Sequence, residues 1–244
     1  MEDHAHYRLF ASLFEYPERE FPVQVEKIAE SLGPDYGEAL SNLRRFADGL
    51  PPSLSADESL ADPDLDQARE LFTRSFDVQS TTTLDVGYTM FGDDYKRGEL
   101  LVNLRRELRE AGIDCGSELP DYLPNVLRLM ACWQDRELAA EFAREILHPV
   151  LEKMIGEFTP ERFEQRDRLY RKHYKTLIDS PPDRQALYVH ALRALLCVLK
   201  QDFALCEREV PEQSRDFLSS INQELTIENQ GAGERPAGQR MRSI

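Results

Sequence analysis

Apolar positions recur at helical spacing along most of this 244-residue chain. From Leu101 onward, Leu101, Leu104, Leu108 and Ala111 fall at intervals of 3, 4 and 3, while Arg105, Arg106, Glu107, Arg109 and Glu110 fall elsewhere. That pattern predicts one amphipathic helix with one buried stripe. Gly112 follows the last periodic residue, where a glycine closes a helix by turning left-handed. Upstream, Tyr7, Phe10, Ala11 and Phe14 predict a short helix within His4 to Tyr16, cut off by Pro17. Val23 to Leu32 and Tyr36 to Leu50 predict two scaffold helices, stopped at Gly33-Pro34 and at Pro51-Pro52. Ser53 to Ala61 has no apolar pattern and is predicted to be a connection. Asp62-Pro63-Asp64 then offers a capping oxygen, a proline for the first turn and a carboxylate at the positive helix end. The helix it opens runs to about Asp77, with Ala68, Phe72 and Phe76 on one face and Leu71 beside them.

Val78 to Leu84 is rich in β-branched residues, but no second run of that kind exists to pair with it, so an extended loop or irregular helix is predicted. Later, Asn125 to Trp133 forms a short helix. Asp135 to Phe158 carries Leu138, Phe142, Ile146, Val150, Met154 and Phe158 at intervals of 4, with Pro149 inside. A proline there clashes with the Glu145 carbonyl, which predicts a kink near His148 or two shorter helices. Thr159-Pro160-Glu161 opens a charged helix to about Ile178. The last long helix, Arg184 to about Glu207, places Tyr188, Leu192, Leu195, Leu199, Phe203 and Cys206 at intervals of 4, 3, 4, 4 and 3. Its middle, Leu195 to Leu199, is apolar without a gap, so this helix is predicted to be central. From Arg208 the pattern decays. The fold predicted is an all-α single domain over residues 1–207, a globular bundle of about eight to ten helices, with a polar, largely disordered tail over 208–244.

Charge narrows the partners. Lys+Arg 30 against Asp+Glu 45 gives a net charge of -15, which opposes nucleic-acid and stable membrane binding and suits a cationic partner. The cysteines Cys115, Cys132, Cys197 and Cys206 form no C-x-x-C pair, and three of them stand in apolar or helical surroundings that predict buried thiols in a reducing compartment. The start, MEDHAHYRLF, is acidic and polar where a signal peptide needs a basic and then an apolar run. The most apolar window, Ala191 to Leu199, is interrupted by Arg193 and ended by Lys200, short of the about 20 residues that span a bilayer. A cytoplasmic protein is expected.

One fragment of a catalytic constellation stands in the sequence. Glu145-Ile146-Leu147-His148 is an E-x-x-H of the kind that di-iron bundles use, but it has no second copy, so no metal and no cofactor is expected and the alternative is a lone histidine at a kink. Glycine-rich phosphate loops, G-x-S-x-G and H-E-x-x-H are missing from the sequence. The basic residues Lys96, Arg97, Arg105, Arg106 and Arg109 are interleaved with acids, as on a solvated helix face. Between two prolines, Glu118-Leu119-Pro120-Asp121-Tyr122-Leu123-Pro124 crowds carboxylates and a phenol into a stiff elbow. Glu118 and Asp121 there suit helix caps or dipole partners, and less well an acid and base pair. Tyr88, Met90 and Phe91 suit either core packing or an apolar lining for a bound peptide.

Four pieces in order carry a resemblance: Leu13-Phe14-Glu15-Tyr16-Pro17, Leu71-Phe72-Thr73-Arg74-Ser75-Phe76-Asp77, Phe91-Gly92 with Lys96-Arg97-Gly98, and the elbow Glu118 to Pro124. The chain resembles the NarJ-like (nitrate reductase delta subunit) group of redox-enzyme maturation chaperones in the TorD/DmsD superfamily. The resemblance spans roughly the first half of the chain. Members often carry a histidine directly after the elbow aspartate, where this chain has Tyr122. What the resemblance implies is a helical bundle of the TorD/NarJ-like type that is no enzyme. It implies a partner as well: the N-terminal segment, often a twin-arginine leader, of the catalytic subunit of a molybdopterin-dependent oxidoreductase, held for cofactor insertion. It implies a monomer or a swapped dimer, and it places the peptide on Tyr88, Phe91, Arg97, Gly98, Glu118, Pro120, Asp121, Tyr122 and Pro124. Arg97-Gly98 would pin a loop, and a charge contact by Asp121 would make Asp121→Asn cost more affinity at low salt than at high salt. The alternatives are a non-enzymatic helical scaffold without a leader client and a metal-binding helical oxidoreductase resting on Glu145 and His148.

Overall fold

Apolar stripes separated by proline and glycine stops give helices and, among the described residues, no strand. The structure is a computed structural model and describes residues 4–51, 63–173 and 186–205. In chain order the helices are α1 His6–Ala11, continued by a 3₁₀ turn at Ser12–Phe14, α2 Phe21–Ser31, α3 Gly37–Gly49 and α4 Pro63–Phe76. They go on as α5 Val86–Phe91, α6 Tyr95–Glu110, α7 Leu123–Cys132, α8 Arg136–Phe142, α9 His148–Gly156, α10 Pro160–His173 and α11 Tyr188–Asp202. The predicted connection at Ser53 to Ala61, the cap at Asp62, the helix limits at Ile178, Arg184 and Glu207, and the tail over 208–244 lie outside the described residues.

The central helix is α11, as its gapless apolar middle predicts. Ala191, Leu192, Ala194, Leu195, Val198 and Leu199 are all buried, and the helix packs chiefly on α3 and α9. A second layer pairs α1 with α7, where Tyr7, Phe10, Leu123, Val126, Leu127 and Met130 are shut from solvent. Phe46, Phe72 and Phe76 all lie against the fully buried Tyr188 ring, so α3, α4 and α11 meet in one aromatic cluster. No helix among the described residues is long and apolar enough to cross a membrane.

Two predicted details change. The helix with the Leu104 and Leu108 stripe starts earlier than its periodicity, at Tyr95, because Asp94 accepts the Lys96 N–H at 3.0 Å and caps it. Lys96-Arg97-Gly98 is therefore the first turn of α6 and not a loop. At its other end Gly112 sits at φ 69° and Ile113 N–H returns to the Leu108 carbonyl at 2.9 Å, so the predicted left-handed stop is present and Ala111 lies exposed beyond the stripe. The Pro149 break becomes a wide π turn at Ala143–Leu147 between α8 and α9. Pro149 then falls in the first turn of α9, where its missing N–H costs nothing, and the widened turn takes up the clash with the carbonyl before it. Cys115, Cys132 and Cys197 are free thiols and half-buried, less than the burial predicted for three of the four cysteines, and Cys206 lies outside the described residues.

Candidate functional site

The elbow is built by one buried carboxylate. Asp121 has no exposed side-chain surface, and its Oδ2 accepts the Gly87 N–H at 3.1 Å and the Arg97 Nε–H at 3.2 Å. The Asp121 carbonyl accepts the Val86 N–H at 2.9 Å, and Leu123 N–H reaches the Leu84 carbonyl at 2.8 Å, so the elbow clips backbone to backbone onto the residues that open α5. Asp121 thus supplies from outside the cap that Asp85, at the N-cap position, does not give with its own side chain. Gly87 is required for this approach: a Cβ there would stand 2.7 Å from Asp121 Oδ2 and 3.2 Å from Arg97 Cγ.

Charge at this point does not balance. Arg97 spans Asp121 and Asp85, with 2.9 Å from Nη2 to Asp85 Oδ2, and its guanidinium lies 5.2 Å from the Tyr88 ring centroid in cation–π contact. Asp85 is nevertheless pushed above the usual carboxylate range, by burial first and by Asp121 and Glu118 besides, against the pull of Arg97. Asp121 Oδ1 is buried and has no hydrogen-bond partner among the described residues. The locus therefore holds more negative charge than Arg97 neutralises.

Around it the other motif segments converge. Tyr122 donates its hydroxyl to the Phe14 carbonyl at 2.9 Å, and burial, with Glu118, Asp85 and Asp77 nearby, pushes its phenol well above the ordinary value. Arg128 of α7 pairs with Glu15. The Phe14 ring meets Phe76 edge to face at 6.3 Å, Tyr16 meets Phe72 at 5.8 Å, and Arg69 donates to the Pro17 carbonyl at 3.1 Å. Segments from residues 13–17, 71–77, 91–98 and 118–124 so form one contiguous region, although they are up to 108 residues apart in the bond between Tyr122 and Phe14.

Not every candidate residue is presented to solvent. Glu118 and Gly98 are exposed, Tyr88, Phe91, Arg97 and Tyr122 are half-buried, and Pro120, Asp121 and Pro124 are buried. Asp121 is held inside the elbow, so in this conformation it organises the region and Glu118 carries the exposed charge. Leu119 stands 43% exposed beside it, and a shallow cleft of about 440 Å³ is lined by Tyr16 with Asp66, Arg69, Glu70, Arg74 and Val78. Asp85 and Gly87 were not legible as site residues: the only signal was an acid placed just before a short helix. Glu145 lies within the π turn and His148 directly after it. His148 is buried with Glu152 at 3.1 Å, while Glu145 lies exposed. Comparison with models of known families and with curated proteins returns no match for this chain.

Proposed function

We propose that the protein is a cytosolic, non-enzymatic maturation chaperone of the NarJ-like kind, which binds the N-terminal segment of the catalytic subunit of a molybdopterin-dependent oxidoreductase and holds that subunit for cofactor insertion. The observation that carries the reading is the negative charge of Asp85, Asp121 and Glu118 in excess of the Arg97 guanidinium they surround, set beside the half-buried rings of Tyr88 and Phe91. A leader segment with paired arginines beside an apolar stretch complements both features: its cations meet the acidic elbow and its apolar side lies on the rings and on Leu119. Glu118 makes the exposed charge contact, Tyr122 and the two prolines hold the elbow stiff, and Asp121 with Arg97 fixes the elbow against α5. The net charge of -15 draws such a segment in from a distance and keeps nucleic acid away.

The test is titration of the full chain with labelled peptides copied from the N-termini of the host's molybdopterin-dependent catalytic subunits. The expected result is saturable binding of at least one of them, weakened by salt, with protection from hydrogen exchange at residues 88–98 and 118–124. Failure of every such peptide to bind, with the subunits' full-length forms also ignored, returns the chain to the status of a helical scaffold.

A further inference from the structure

Residues remote in sequence meet at the far end of α11. His6 Nε2 lies 2.7 Å from Asp202 Oδ2 and His4 Nδ1 lies 3.4 Å from the same oxygen, closing a gap of 196 residues between His6 and Asp202. The potential ligand atoms of His4, His6 and Asp202 all lie within 4.8 Å of one another. Their side chains are 9%, 9% and 3% exposed, so the group faces inward with a narrow opening to solvent.

We infer that His4, His6 and Asp202 form a site for one divalent transition-metal ion of the zinc class. Two imidazoles and a carboxylate are a donor set that such ions favour over magnesium or calcium, and three protein ligands leave room for water. Ligand atoms bonded to zinc at about 2.0–2.1 Å sit about 3.3 Å apart in a tetrahedron. The observed separations from Asp202, 2.7 and 3.4 Å, straddle that value, so loading needs side-chain adjustment and no change of fold. The ion takes the place of the proton shared by His6 and Asp202, and that proton leaves to solvent or to the other ring nitrogen.

The support around these ligands is what a metal site requires. Tyr36 donates its hydroxyl to the other carboxylate oxygen, Asp202 Oδ1, at 2.5 Å, which fixes the carboxylate from behind. His4 stacks on Phe203 at 5.3 Å and His6 packs against Tyr7 at 4.6 Å, so both rings are oriented before any ion arrives. Arg136 also acts on His4 and opposes an added cation, and the Asp202 charge offsets it. A bound ion would clasp the start of α1 and the residues just before it to the end of α11.

Calorimetric titration of the chelator-treated full chain with zinc chloride at neutral pH tests the site. The expected result is one ion per chain, with a raised unfolding temperature. Asp202→Asn and the double variant His4→Gln, His6→Gln each lower the affinity at least about tenfold, and Tyr36→Phe, which removes only the supporting hydrogen bond, lowers it about tenfold. His190→Gln, elsewhere on α11, leaves it unchanged. The cobalt-loaded protein shows no thiolate charge-transfer band, which separates this site from the cysteines. Absence of stoichiometric zinc uptake, uptake unaltered in Asp202→Asn and Tyr36→Phe, or a thiolate band would each overturn the inference.

Discussion

Asp121 accepts the backbone N–H of Gly87 at 3.1 Å across 34 residues and so caps a helix to which it does not belong. The same oxygen takes Arg97 at 3.2 Å, which ties the start of α6 to the elbow and the start of α5. One side chain therefore sets the mutual position of the elements that carry Tyr88, Phe91, Arg97 and Glu118.

Gly87→Ala should destabilise the fold by about 1–3 kcal/mol, because the added methyl meets a carboxylate held by two hydrogen bonds and cannot be accommodated by a rotamer change. Asp121→Ala should cost about 3 kcal/mol, near the lower end for a broken buried ion pair because Arg97 keeps Asp85. Urea unfolding of both variants checks the order.

Exposure divides the two elbow carboxylates by role. Glu118→Gln should weaken peptide binding more at low salt than at high salt, as expected of a solvent-screened charge. Asp121→Asn should weaken it at both, through loss of elbow geometry. Peptide titrations at two ionic strengths separate the two, and a purely salt-dependent Asp121→Asn effect would restore it as a direct contact.

Acid should loosen the contact between the start of the chain and α11. His4 has a folded pKa below its ordinary 6.5, so below that pH the unfolded chain binds more protons and stability falls until the pH passes the folded value. Asp202, held below 3.8, contributes stability that is present at neutral pH and lost only as pH falls through its lowered value. Between pH 7 and 5 the loss belongs to His4 and to His190, which burial also holds below its ordinary value. Unfolding temperatures in chelator-containing buffer should decline over that range, and His4→Gln should make the decline shallower without abolishing it.

Burial, then Glu38, pushes the Cys197 thiol up to about 11, and burial with Asp114 also raises Cys115. At pH 7.5 alkylation of Cys197, followed by peptide mapping, should run at least ~10-fold slower than that of a free cysteine.

Much of the architecture was legible in the sequence because its helices carry strong local signals. The Leu104 and Leu108 stripe, the Gly112 stop, the Thr159-Pro160-Glu161 start and the apolar middle of α11 each depend on neighbours within a turn or two. Arg162 N–H does meet Thr159 Oγ1, at 3.4 Å. The start of α6 was misplaced because Asp94 caps a first turn that lacks an apolar stripe. Site geometry was less legible, since it depends on long-range pairing. The elbow stood out by its prolines and acids, and a capping role for Asp121 was anticipated, yet nothing local says that the helix it caps is α5. The same holds for His4, His6 and Asp202: a histidine pair two apart is visible near the start, but its carboxylate lies at the other end of the fold.

The most direct measurement of the central claim is affinity capture of the tagged full chain from its own host, grown under anaerobic respiration, with mass spectrometry of what co-purifies in parallel with a Glu118→Gln control. The expected catch is a molybdopterin-type catalytic subunit, recovered with its N-terminus intact and depleted in the control. If that subunit is present in the lysate and never captured, the elbow is a folding device only and the chaperone assignment fails.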